Sequence, residues 1–169
     1  MQHLPTGLVR DACGVARLDP DQSVQDGIQM VFAKFRELGS AQKVLRYMAN
    51  HGLKLPRRQT SGLYAGTVLW KGPKSSALLS ILKSPAYAGA FTYGRRITDP
   101  ARQVPGRPAT GKVRQPQDRW MALVKGVYPA YITWDSALAV MLLTKGREQG
   151  PQVAAVAIGS HRPSRLMVP

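Results

Sequence analysis

GRPATGKV, Gly106 to Val113, has the glycine and lysine spacing of a loop that cradles phosphate, so it is the first stretch to test for chemistry. Such a loop follows a strand, opens a helix and ends on a Ser or Thr that holds the metal. Here Pro105 precedes it, Val113 takes the hydroxyl position and Pro116 follows soon after. The spacing therefore carries no nucleotide chemistry. Covalent chemistry finds no better footing. The single cysteine, Cys13, stands in a glycine-containing N-terminal segment, and the three histidines, His3, His51 and His161, are far apart with no CxxC to join. One cysteine makes neither an internal disulfide nor a zinc site. The acids are scattered, and no Ser-His-Asp or Cys-His set can be assembled from them. The expectation is a chain with no catalytic residue, no metal, no cofactor and no small-molecule substrate.

What the side chains do offer is charge. The chain has 169 residues, with 24 Lys and Arg against 9 Asp and Glu, a formal net charge of +15. A surface of that sign attracts a polyanion. The charge is also segregated: between Glu37 and Asp99 there is no acid and there are ten cations, Lys43, Arg46, Lys54, Arg57, Arg58, Lys71, Lys74, Lys83, Arg95 and Arg96. A solvated surface normally intersperses both signs, because uncompensated repulsion opposes folding. Duplex DNA is the expected partner, with a basic RNA-binding or ribosome-associated protein as the rival reading. The hydrophobic fraction of 44% is ordinary for a folded domain and sets the chain apart from a disordered basic tail. The longest apolar run, ALAVMLL from Ala137 to Leu143, falls far short of the roughly 20 residues of a membrane span, so no membrane partner is expected. With an unpaired cysteine and no signal-like start, the expected setting is cytoplasmic and nucleoid-associated.

The elements that must position these cations read as an α+β fold, mainly helical, with a helix-turn-helix-like core and a small antiparallel β-hairpin. Residues 1–23, broken by Pro5, Gly7, Gly14 and Pro20, read as an extended arm with a short strand at GLVRD. Val24, Ile28, Val31, Phe32, Phe35 and Leu38 recur at helical spacing until Gly39 stops them. Ser40 stands as the N-cap of a second helix through Ala41, Val44, Leu45 and Met48, ending at His51-Gly52. Residues 53–73 read as a loop with one strand at TVLW. A third helix follows, capped by Gly72 or Ser75 and burying Ala77, Leu78, Ile81 and Leu82. Tyr87, Gly89, Phe91 and Tyr93 then alternate with smaller residues, which predicts a strand whose aromatic face packs under that helix and whose end delivers Arg95 and Arg96. Residues 99–118, rich in proline and glycine, predict a mobile loop. RWMALV predicts a partner strand, and Thr133 or Asp135 a cap for a last helix through Leu143. The domain boundaries are thus an arm over 1–23, a DNA-binding domain over 24–135, and a C-terminal helix with an irregular tail over 136–169.

The second and third helices lie inside the acid-free stretch and suggest a helix-turn-helix with an unusually long connection, the later helix entering the major groove. Its outward positions are Lys74, Ser75, Ser76, Ser80 and Lys83. Lys43, Arg46, Arg57, Arg58, Lys71, Arg95 and Arg96 complete the expected DNA-binding set.

Taken in order, LPTGLVRD, LDPD, VFAKFRELGS, GLKLPRR, ILKSPAYAGAFTYGRR and RWMALVKGVYPAYITWD resemble the recombinase domain of large serine recombinases, the site-specific integrases and transposon resolvases. The resemblance covers roughly Leu4 to Asp135; beyond it the pattern fades, and HRPSRLMVP matches nothing in it. It implies a DNA-binding domain that reads part of an attachment site, with the arm of residues 1–20 following the groove, and it leaves self-association on the DNA open. In that family the nucleophilic serine belongs to a resolvase-like domain upstream and a zinc ribbon follows downstream. Neither has a counterpart among these residues, so the resemblance implies no catalysis here, and a truncated or frame-shifted remnant is the third reading.

Overall fold

The computed structural model describes residues 3–107 and 110–145; the tail expected from residue 146 lies outside them. Among the described residues the fold is α+β, with four α-helices and four separate two-stranded antiparallel ladders. Helix α1, Gln22–Leu38, begins at Asp21, whose carboxylate accepts the Ser23 amide at 2.9 Å. Those bonds from Ser23 hold the Asp21 carboxyl below its ordinary value. The helix ends where Gly39 takes a left-handed φ of 64°, a conformation that a side chain resists. Helix α2, Ala41–Asn50, follows at once. Ser40 is its N-cap residue, as its type suggests, but its hydroxyl makes no capping bond.

Helix α3, Ser75–Leu82, is one residue out from the expected cap: Lys74, in extended conformation, is the N-cap, in place of Gly72 or Ser75. Eight residues do not hold a helix alone in water. Leu78 and Leu82 bury completely against α1 and α2, at about 2–3 kcal/mol each. The three helices close around Ile28, Val31, Phe32, Phe35, Val44, Met48, Leu55, Leu78, Ile81 and Leu82. Helix α4, Trp134–Lys145, adds Val140 to that core. Of its two candidate caps, Thr133 is the one used, its hydroxyl accepting from the Ser136 amide at 3.3 Å.

The short strands tie the helices together. Strands β1, Leu8–Arg10, and β2, Ala16–Leu18, form a hairpin from the N-terminal segment. Strands β3, Leu55–Arg58, and β4, Val68–Lys71, form a second, and Pro56 and Trp70 press it onto α1 at Gly27, where a Cβ would meet Pro56 at 3.3 Å. The strand expected over Tyr87–Tyr93 is only half there. Pro85–Ala88 is a 3-10 turn, ended by Gly89 at a φ of 75°, and β5 covers Phe91–Tyr93 alone. The reason is Pro85, which starts a turn and holds Tyr87 inward before the chain can extend. The aromatics consequently do not share a face: Tyr87 is 2% exposed and Tyr93 59%. RWMALV supplies β8, Ala122–Val124, the expected partner of β5. Strands β6, Arg96–Thr98, and β7, Lys112–Arg114, pair from either side of the proline-rich segment.

The N-terminal hairpin is fastened through polar bonds. The Tyr87 hydroxyl donates to the Thr6 carbonyl at 2.8 Å and the Tyr131 hydroxyl to the Gly7 carbonyl at 2.6 Å. The Arg58 amide donates to the Thr6 hydroxyl at 3.0 Å. Burial, then the neighbouring Tyr131, raises the Tyr87 phenol above its ordinary 10.0; burial, then the Asp19 carboxylate, pushes Tyr131 up to about 12. Both groups resist ionisation more in the folded chain than in the unfolded one. Their contribution is complete below about pH 10, where both states hold the proton, and is lost as pH rises past 10 and through about 12, because the unfolded state gives up its protons first. Urea midpoints across that range are expected to fall more steeply for the native chain than for a Tyr87→Phe/Tyr131→Phe double variant.

Candidate nucleic-acid interface

Of the ten cations in the acid-free stretch, two have inward work. The Arg58 guanidinium binds the Asp19 carboxylate at 2.6 Å, joining the β3–β4 hairpin to the N-terminal segment, while its buried Nε has no hydrogen-bond partner among the described residues. Arg95 is the second. Its Nη2 donates to the Lys83 carbonyl at 2.8 Å, just past the end of α3, and its guanidinium lies 5.4 Å from the centre of the Trp120 ring. The expectation is that Arg95 projects from a hairpin with Arg96; β5 ends at Tyr93, where expected, but Arg95 turns under the end of α3 instead. Burial, then the repulsion of Arg114 and Arg96, holds its guanidinium below its ordinary value.

Lys83 apart, the other candidates face outward. On α3, Lys74, Ser75, Ser76 and Ser80 are exposed and Lys83 is half-buried at the C-cap. No side chain caps the N-terminus of α3 and no acid stands in its first turn, so the helix dipole and free amides there are open to an external anion. Lys71, at the end of β4, lies three residues before Lys74 and pairs across the ladder with Leu55, the neighbour of Lys54. At the other end of α3, Arg95 links Lys83 to Arg96 and Arg114. Cations thus gather at both ends of one short helix. Arg57 is exposed on β3, and Lys43 and Arg46 are exposed on α2, but no described contact joins these three to the α3 group.

Sequence reasoning missed the β6–β7 ribbon, naming only Arg96 among its cations and reading the β7 segment as part of a mobile loop. Arg96 and Arg114 are directly opposed across the ladder, and Thr98 faces Lys112, so one face carries three cations. Neither arginine has an acid partner among the described residues. Like charges directly opposed oppose pairing, an arrangement that only an anion relieves. Its one signal in the sequence is the set of four basic residues inside 99–118, hidden by the prolines that made the segment read as a loop. Lys112, the lysine of GRPATGKV, begins this strand and not a helix, which removes the phosphate-loop reading on geometry as well. Among the described residues no three His, Cys, Asp or Glu side chains gather, and no helix is long and apolar enough to cross a membrane.

A profile of the Recombinase family matches residues 23–147, so the match outruns Asp135, where the resemblance by motif ends, and leaves out LPTGLVRD. The chain belongs to the Recombinase family. It is 37% identical over 131 residues to the protein y4bA/y4pH of Sinorhizobium fredii, described as uncharacterized. That alignment takes in 78% of this chain and 18% of the relative. No solved structure matches the chain.

Two substitutions separate inward from outward cations. Arg58→Ala is expected to lower unfolding stability by about 2 kcal/mol, because it leaves the buried Asp19 carboxylate without its partner. Arg114→Glu is expected to raise stability by about 0.5 kcal/mol, replacing a repulsive cross-strand pair with an attractive one. Denaturant titration reads both.

Proposed function

We propose that this chain is the DNA-binding recombinase domain of a serine site-specific recombinase, reading part of an attachment site and performing no catalysis itself. The observation that carries the reading is α3: a short helix with outward serines, an uncapped N-terminus, and cations at each end drawn from a stretch without one acid. An α-helix, about 10–12 Å across with its side chains, fits a B-DNA major groove about 12 Å wide. In this reading α2 and α3 are the two helices of a helix-turn-helix whose connection, residues 51–74, has grown to hold the β3–β4 hairpin. Ser75, Ser76 and Ser80 meet base edges, while Lys71, Lys74, Lys83 and Arg96 meet phosphates. Lys43, Arg46 and Arg57 add to the field that draws the duplex in. Arg58 and Arg95 act indirectly, by fixing the hairpin and the end of α3. The site of action is the chromosome, in a cytoplasmic, nucleoid-associated setting.

Duplex-binding titrations over a range of salt concentrations test this. Neutralising about six to eight phosphates gives a slope of log K against log salt of about −5 to −7. Lys74→Ala and Arg96→Ala are each expected to reduce the slope by about 0.9. A flat salt response, or tighter binding to structured RNA in competition, overturns the proposal.

A further inference from the structure

The tip of the β3–β4 hairpin holds two adjacent apolar side chains in water: Leu63 is 93% exposed and Tyr64 64%. A single exposed leucine needs no explanation. This pair differs because the turn presenting it is tightly bonded. The Gly66 amide donates to the Gln59 carbonyl at 2.8 Å, the Gln59 amide to Thr67 at 2.9 Å and the Ala65 amide to Gly62 at 3.1 Å. The Thr67 hydroxyl donates to the Tyr64 carbonyl at 2.7 Å. Gly62 and Gly66 take positive φ values of 84° and 92°, which fix the turn's shape. Main-chain bonding therefore holds Leu63 and Tyr64 away from the core, which does not include them.

We infer that this tip is an apolar wedge that enters the minor groove beside the major groove occupied by α3 and parts a base step. The inference rests on the duplex-binding reading of the preceding subsection. Charge selects the occupant: Arg57 and Lys71 stand on the stem and Lys74 follows it, and no acid lies within the hairpin or anywhere between residues 38 and 98. Reach agrees. Four paired residues at about 3.3 Å each give a stem of about 13 Å, the turn extends it, and a major groove lies about 17 Å, half a helical turn, from the next minor groove. Leucine is a side chain that minor-groove proteins insert between bases, and the resulting kinks are about 20–90°.

The test uses the full chain and an end-labelled duplex of about 30 base pairs with central TA steps, which kink readily. Anisotropy reads binding, and energy transfer between the ends reads bending. The native chain is expected to bind and shorten the end-to-end distance. Leu63→Ala and Tyr64→Ala are expected to lose most of that shortening and to weaken binding about five-fold to ten-fold, with the salt slope unchanged because no phosphate contact is removed. Circular dichroism melts should match the native chain, since neither side chain packs in the core. Binding without any change in energy transfer overturns the wedge and leaves duplex binding standing. Failure to bind duplex at all overturns both. Self-association in sedimentation that Leu63→Ala abolishes, with bending intact, makes the tip a protein contact and overturns the wedge.

Discussion

The Tyr87 phenol has one polar atom, almost no access to water, and one place to send its proton: the carbonyl of Thr6. A buried hydroxyl without an acceptor costs about 1–3 kcal/mol, so that bond is obligatory once the ring is in the core. The ring goes in because Phe32 and Tyr131 flank it edge-on, each with centroids 5.7 Å away. The backbone of the same residue is equally committed, its carbonyl accepting the amides of Tyr131 and Ile132 at 2.8 and 3.1 Å. One residue thereby joins α1, the N-terminal hairpin and the approach to α4. Gly89, just after the turn, accepts the Val127 and Tyr128 amides, and a Cβ there would lie 2.8 Å from the Tyr128 carbonyl oxygen. The sequence PAYAG is a structural joint, and the position of α3 immediately before it follows from that joint.

Segregated charge gives the molecule two kinds of cation. Asp19, carried by the N-terminal segment, reaches across 39 residues to Arg58 and turns one member of the basic set into an internal strut. Arg95 does the same without an acid, using a carbonyl at the end of α3 where the helix dipole is negative. Arg96 and Arg114, opposed across the β6–β7 ladder, are left with their mutual repulsion. A fold that tolerates such pairs in isolation gains when an anion arrives, which is the ground for proposing Arg96 as a duplex contact.

Legibility in the sequence followed the range of the interactions. The four helices could be read, some to within a residue or two, because their apolar spacing, Gly39, the residue type at Ser40 and the cap at Thr133 are local. Among the short strands, β1, β4, β8 and the end of β5 were legible at GLVRD, TVLW, RWMALV and Phe91–Tyr93, whereas β2, β3, β6 and β7 carry too little alternation to show. Tyr87 and Tyr93 look alike in sequence, yet one is core and the other surface; Pro85 and Gly89, four residues apart, are the local sign that a turn divides them. Likewise Arg58 and Arg95 cannot be told from their outward neighbours by type, since their partners, Asp19 and the Lys83 carbonyl, are supplied by the tertiary fold. The basic character of the surface was legible; the allocation of each cation was not.

Ser75, Ser76 and Ser80 have no duty in the architecture: the inward side of α3 is held by Leu78, Ile81 and Leu82, and its far end by Arg95. Amino acids can be exchanged at those three positions without disturbing the scaffold. Under the proposed duplex reading, substitution at those few codons changes the address that α3 reads, while the residues that hold the helix in place stay as they are.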